Sequence, residues 1–281
     1  MNNIFQGRNI IIATKHQKEK VIAPLLTSEL GLNCIVPESL DTDEFGTFTG
    51  EIERADNPID TARKKCLKAI EVSGCDIAIA NEGSFNMHPT IYFAHADYET
   101  ILIYDKKNNL EFFHHEISTN TNFNGSEITS YEELEHFAEV VKFPSHAIIL
   151  RKDKDSKDDI YKGISSHDEL KRFYFKLNKK YSKVYAETDM RAMFNPTRMT
   201  VIKEALIKLI AKIKTPCPEC NTPGFSVKEY KPGLPCENCG APTRSTLLHI
   251  YACQTCNHQE EIKYPHHKRN EDPMYCDFCN P

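Results

Sequence analysis

No stretch of this chain approaches the ~20 consecutive apolar residues that a membrane-crossing helix needs. Its opening, MNNIFQGRNIII, lacks a basic region followed by a long apolar one. A cytoplasmic protein with no membrane partner is the expectation. Basic charge is also scarce: 35 Lys and Arg stand against 40 Asp and Glu, for a net charge of −5. Residues 214–281 carry seven basic against eight acidic residues, which leaves 28 against 32 for residues 1–213. Neither segment has the excess of cations that neutralising a phosphate backbone requires, so nucleic acid is not an expected partner. Internal repeats are missing apart from four C-x-x-C pairs.

A chain of 281 residues can build two domains, and 40% apolar with 10% aromatic residues supplies enough core to fold them. Apolar runs at RNIIIAT and LNCIVP read as strands, with a helix between them closed by Gly31. Residues 37–56 hold no sustained periodicity and read as a long functional loop or short hairpin. In NPIDTARKKCLKAIEVSG, Asn57 is the N-cap, Pro58 the first helical residue and Gly74 the stop. The segments YETILIYD and LEFFHHEI read as a hairpin, and Ser130 with Glu133 as a capping box before another helix. TRMTVIKEALIKLIAKI closes the first domain near Lys214. The fold expected is α/β: a mixed sheet with flanking helices and a cleft over residues 1–213, then a double zinc-ribbon module over 214–281.

The chemistry centres on DIAIANEGSF, an apolar strand that stops at Glu82. The carboxyl end of a strand in an open α/β sheet faces the crevice where ligands bind, and Gly83 would let a ligand approach the backbone. Glu82 equally suits a solvated turn begun by Gly83 and Ser84. Asp60, at the third position of its helix, suits a capping box with Asn57 or a metal ligand converging with Glu82. Lys15, Lys18 and Lys20 follow the first strand, where a helix start favours anions.

A-T-x-x-x-K after the first strand, then P-x-D-T-A-x-x-K-C-x-x-A and D-x-x-I-A-x-E-G-S-F, resemble the Maf-type and inosine-triphosphate pyrophosphatase superfamily. Its members cleave nucleoside triphosphates to monophosphate and pyrophosphate with a divalent metal. The resemblance implies phosphate contacts from Lys18 and Lys65, Mg²⁺ held by Asp60 and Glu82, and Glu82 as ligand or base. It continues at NPTRMTVIKEAL, where Arg198 precedes the last helix. A metal-dependent nucleoside triphosphate pyrophosphatase or related phosphate-ester hydrolase is the leading expectation; the alternative is a non-catalytic nucleotide-sensing or protein- or nucleic-acid-binding protein with a structural zinc module.

The stretch TDMRAMFNPTRM at 188–199 and the terminal CDFCNP also resemble a bacterial family of unknown function. Within that stretch, Asp189 and Arg191 suit a local ion pair and Asn195-Pro196 a turn into the helix. Arg191 and Arg198 also offer planar donors for phosphate.

The cysteines give the sharpest signal. Cys217/Cys220, Cys236/Cys239, Cys253/Cys256 and Cys276/Cys279 provide eight thiolates, enough for two tetrahedral Zn²⁺ sites. Consecutive pairing leaves 15 and 19 residues between knuckles, and nested pairing leaves 13 between the inner two; consecutive pairing is preferred. Four thiolates close the coordination sphere, so the sites read as structural, with a protein partner or stabilisation as the module's role. His249, His258, His266 and His267 are then surplus to coordination.

Overall fold

A computed structural model describes residues 3–37 and 57–281. Beyond residue 37, the loop or hairpin expected over 37–56 therefore lies outside the described residues. The described chain divides into two compact units, residues 3–209 and 210–281, so the division falls within the last helix rather than after it.

The first unit begins with β1 (Asn9–Ala13), α1 (Glu19–Leu30) and β2 (Asn33–Ile35). Helix α1 stops at Gly31, whose left-handed φ of 70° lets its N–H return to the Thr27 carbonyl. Helix α2 (Pro58–Ser73) starts where Asn57 accepts a hydrogen bond from the Asp60 N–H and ends at Gly74, also at φ 70°. Strands β3 (Ile77–Met87), β4 (His95–Asp105) and β5 (Leu110–Ser118) complete a five-stranded sheet in the order β2-β1-β3-β4-β5. The first three strands are parallel; β4 and β5 are antiparallel, which makes the sheet mixed as expected. Ala62, Cys66 and Ala69 of α2 pack on Ala78 and Ala80 of β3, and these small residues bring helix and sheet close.

One expectation needs correcting. Strand β3 does not stop at Glu82 but runs on to Met87, because β4 pairs with it continuously from Ile77↔Asp105 to Met87↔His95. Its pairing with β1 ends at Ala13↔Ala80. The result is a strand half flanked on both sides and half on one.

A second sheet in the same unit goes beyond the single sheet that the apolar runs suggest. Strands β6 (Gly125–Ile128), β7 (Ile148–Arg151), β8 (Tyr161–Ile164) and β9 (Val184–Thr188) form it in the order β6-β9-β7-β8, all antiparallel. Helices α3 (Tyr131–Val140) and α4 (His167–Asn178) cover it through Leu134, Phe137, Leu170, Tyr174 and Leu177. Ser130 and Ser166 cap these helices by accepting from the N–H groups of Glu133 and Glu169. Helix α5 (Pro196–Ile213) follows and buries Ile202, Leu206, Leu209, Ile210 and Ile213 along one face. No helix among the described residues is long and apolar enough to cross a membrane.

The second unit is a three-stranded antiparallel sheet, β10 (Ser226–Pro232), β11 (Thr246–Ala252) and β12 (Gln259–Lys263), with β11 central.

Candidate functional site

Past Ala80, β1 no longer pairs with β3, and Lys18 reaches that edge. It lies at the turn between β1 and α1, after His16 and Gln17, both left-handed at φ 65° and 60°. Two consecutive non-glycine residues in that region are unusual and carry conformational strain. The Lys18 Nζ donates to the Asn81 backbone oxygen at 3.3 Å and to Asn81 Oδ1 at 2.8 Å. Asn81 Nδ2 in turn donates to Glu99 Oε2 at 2.8 Å and to the Thr100 carbonyl at 3.1 Å.

Residues of a strand alternate between faces, so Asn81 and Gly83 share one face of the sheet with Asp97 and Glu99 of β4. Arg198, in the first turn of α5, meets that face. Its Nε donates to Glu99 Oε1 at 2.6 Å, its Nη1 donates to the Met190 carbonyl at 2.6 Å, and its guanidinium lies 5.3 Å from the centre of the Phe85 ring. Asn195 orients it by accepting from the Arg198 N–H at 3.0 Å as the cap of α5. A methyl group on Gly83 would run into this guanidinium and lie 2.6 Å from Glu99 Oε1. The group that approaches the bare backbone at Gly83 is thus Arg198 of the chain itself.

Glu82 points to the opposite face, towards α2, where its Oε1 lies 2.5 Å from Lys65 Nζ. Across the strands Thr100 stands opposite Glu82 and His115 opposite Thr100, whose hydroxyl lies 2.8 Å from His115 Nδ1. Lys18, Lys65, Asn81, Glu82, Asp97, Glu99 and Arg198 are all buried. Placing so many charges out of water is costly unless each is compensated. Burial, reinforced by the Arg198 charge, pushes the Lys18 ammonium down to about 7. Burial, with Glu99 beside it, pushes the Asp97 carboxyl up to about 9.

Of the residues singled out in the sequence, Lys18, Lys65, Glu82 and Arg198 are part of this buried charge, Lys65 and Glu82 on one face of β3 and Arg198 on the other. Asp60 and Arg191 are engaged otherwise. Asp60 accepts from Asn57 Nδ2 at 2.6 Å and pairs with Arg63, which reaches across to Glu111 of β5. Arg191 pairs with Asp189 through Nε and Nη2, at 3.0 and 2.6 Å, and packs on the Phe194 ring. Asp189 also accepts from the Gly163 N–H at 3.0 Å, so this pair ties β8 to the turn before α5. The capping and local-pair readings describe both residues.

The Mg²⁺ site that the resemblance implies gains no support from this geometry. Asp60 and Glu82 are each paired with a cation, and neither belongs to a group of three potential ligands among the described residues. Mg²⁺ is usually held by one or two carboxylates together with waters and substrate phosphates, and here both carboxylates are already engaged by Arg63 and Lys65.

Asn81, Asp97 and Glu99 were missed in the sequence. Their signal was present: Asp97 and Glu99 fall on the same alternation as the buried Ile101 and Ile103, which places carboxylates on an inward face.

In the second unit, Cys217, Cys220, Cys253 and Cys256 form one cluster and Cys236, Cys239, Cys276 and Cys279 the other. Each is suited to one zinc ion. Sulfur–sulfur distances of 3.6 Å for Cys217–Cys256 and Cys220–Cys253, and 3.8 and 3.6 Å for Cys236–Cys279 and Cys239–Cys276, match the edge of a tetrahedron. With Zn–S bonds near 2.3 Å that edge is about 3.8 Å.

The first knuckle joins the third, and the second joins the fourth, which corrects both pairings considered from spacing alone. The sheet dictates the crossing. Strand β10 leaves the first knuckle and β11 returns to the third, with Ser226 opposite Ala252. The second knuckle lies in the connection at the other end of this hairpin, and β12 runs back towards that end, with Lys263 opposite Leu248. The two metal sites therefore sit at opposite ends of one three-stranded sheet.

The knuckles share a local form that the sequence repeats. Pro-Cys-x-x-Cys-(Asn or Gly)-x-Pro occurs at 216–223 and 235–242, and each copy closes with a bridge between its prolines. Asn221, Gly240 and Asn257 take left-handed φ angles of 59°, 72° and 60° after the second cysteine. His249 packs between the rings of Tyr230 and His266, a packing role rather than coordination.

The architecture is that of a mixed α/β domain carrying a buried charge cluster, followed in the chain by a ribbon with two tetracysteine sites. The chain belongs to the family described as Domain of unknown function (DUF6671), whose model matches residues 65–281. No protein of curated function matches it. The crystal structure of protein VC0702 from Vibrio cholerae is similar over 73% of this chain and 94% of its own, at 10% identity and a TM-score of 0.31, a likeness too loose to support an argument.

Proposed function

We propose that the first unit binds a nucleotide or related phosphate ester at the buried charge cluster and hydrolyses its phosphate linkage. The observation that carries this reading is the gathering of Lys18, Lys65 and Arg198 around β3, beside the turn strained at His16 and Gln17. Cations held in a site of low dielectric meet phosphate oxygens far more strongly than cations in water. Arg198 supplies a planar fork for them, and the two lysines supply point charges. A phosphate that draws Lys65 away from Glu82 lets that carboxylate turn to orient and deprotonate an attacking water. A divalent ion arrives as part of the substrate, bound to its phosphates.

One observation favours the second reading, nucleotide sensing without turnover. The carboxylates Glu82 and Glu99 already face Lys65 and Arg198 respectively, a resting arrangement that a ligand must break. The two readings separate on one assay. Zinc-loaded protein is incubated with a panel of normal and modified nucleoside triphosphates and Mg²⁺, and pyrophosphate and phosphate release are followed. Hydrolysis predicts turnover that falls by about 10²-fold or more in Glu82→Gln, the scale of a lost general base. Binding without product in the parent protein would establish the sensor instead.

The second unit binds two zinc ions as structural ligands in this reading. Exposed Met274, Tyr275 and Phe278 flank its second site and suit contact with a protein partner, since aromatic residues and Met are enriched in such interfaces.

A further inference from the structure

We infer that Asp97 and Glu99 act as a proton-sharing carboxyl pair, with Asp97 holding the proton as a neutral acid inside the charge cluster. Both residues are on the same face of β4, two positions apart, and both side chains are closed to solvent. Their surroundings differ. Glu99 accepts from Arg198 Nε and from Asn81 Nδ2, so its charge is stabilised on both oxygens. Neither oxygen of Asp97 accepts from a donor group among the described residues. Glu99 is the carboxyl group two positions along on the same face, and it raises the Asp97 pKa both as a like charge and as a hydrogen-bonding neighbour. Two carboxylates in such contact cannot both stay ionised without a cation or a proton between them.

A proton fits this place better than a metal. The charged groups facing Asp97 are Glu99 on its own strand, Arg198 from α5 and Lys18 from the β1–α1 turn. Phe85 of β3 and Ser118 of β5 stand opposite it in the sheet. A divalent ion would meet two cations and only two carboxylates, and no third acidic, His or Cys ligand joins them among the described residues. The environment also acts in the required direction, since burial and the Glu99 charge both hold the Asp97 proton.

The consequence is electrostatic. With the shared proton, Lys18, Lys65 and Arg198 face only two anionic carboxylates, Glu82 and Glu99, so the cluster carries positive charge in excess whenever Lys18 is protonated, which is below about pH 7 in the free protein. That excess is what admits an anion into a buried site. Admission of an anion rests on the phosphate-binding reading above; the shared proton rests on the shared face and burial of the two carboxyl groups and on the absence of a donor to Asp97 among the described residues.

Infrared difference spectra of the zinc-loaded full-length protein, recorded from neutral to alkaline pH, test the pair directly. The expected result is a carbonyl band of a protonated carboxylic acid at neutral pH, lost with a midpoint of about 9 and absent from Asp97→Asn. That variant keeps the fold, because its amide donates to Glu99 as the acid does. In Glu99→Gln the like charge is gone, and the midpoint of the band moves down. Absence of the band from the parent at neutral pH would overturn the inference. So would its displacement by added Mg²⁺ or Mn²⁺, which would make the pair a metal site.

Discussion

Replacing Cys217 and Cys253 together is expected to remove one zinc ion from the protein, and replacing Cys217 and Cys236 together is expected to remove both. The first two cysteines share a cluster; the second two belong to different ones. Consecutive pairing of knuckles predicts the reverse pattern, so the stoichiometry read by native mass spectrometry separates the arrangements. Serine in place of cysteine lacks the soft thiolate that zinc prefers, so each affected site loses its ion. The effect on folding is large. A short unit with a three-stranded sheet has a small core, here Phe225 and Tyr251 packed beside Cys217 and Cys253. Structural zinc contributes ~10–16 kcal/mol in comparable small modules, more than such a core supplies. Chelation should therefore unfold residues 210–281, seen as loss of hydrogen-exchange protection in β10, β11 and β12. Protection that survives chelation would show that the sheet stands without metal.

Arg198→Met is expected to destabilise the first unit by about 3–5 kcal/mol, the scale for removing one partner of a buried ion pair. Arg198 and Glu99 are both fully closed to solvent, and the guanidinium also satisfies the Met190 carbonyl. Its removal leaves Glu99 uncompensated and a void beside Gly83. The variant also carries an electrostatic signature that packing loss alone does not produce. Arg198 holds the Lys18 pKa down and opposes the rise at Asp97. Without it both groups keep their protons to higher pH. The double variant Arg198→Met/Glu99→Gln should recover part of the lost stability, because no unpaired buried carboxylate remains. Denaturant midpoints of the three proteins check the sequence of effects.

How far the fold was legible depended on whether the determining interaction was local. Asn57, Pro58 and Gly74 delimit α2 through hydrogen bonds within four residues, and all three take the places read from the sequence. The same holds for the capping residue Ser130. The C-x-x-C spacing announces tetrahedral sites because two thiolates at that spacing already share an ion. Which knuckle meets which was not local. It follows from the register of β10, β11 and β12, and 13, 15 or 19 intervening residues all allow closure. The extension of β3 beyond Glu82 had the same origin, because its partner β4 starts at His95 and no periodicity within NEGSFNM reports that pairing. The signal at Asp97 and Glu99 was easy to misread for a third reason. Polar residues in a strand normally mark the solvated face, and here a guanidinium from α5, about a hundred residues away in sequence, converts that face into an interior.

The most direct test of the site is the titration of the Lys18 ammonium by nitrogen-detected NMR, with and without a nucleoside triphosphate. In the free protein, burial and Arg198 place its midpoint near 7. This is a depressed pKa, so the stability it confers is complete above the ordinary lysine value and is lost as pH falls through about 7. A phosphate anion beside Lys18 favours the charged form, and the midpoint should rise by one or more units, about a tenfold gain in proton affinity. Nucleotide that binds yet leaves the Lys18 midpoint unmoved would contradict the assignment of this cluster as the phosphate site.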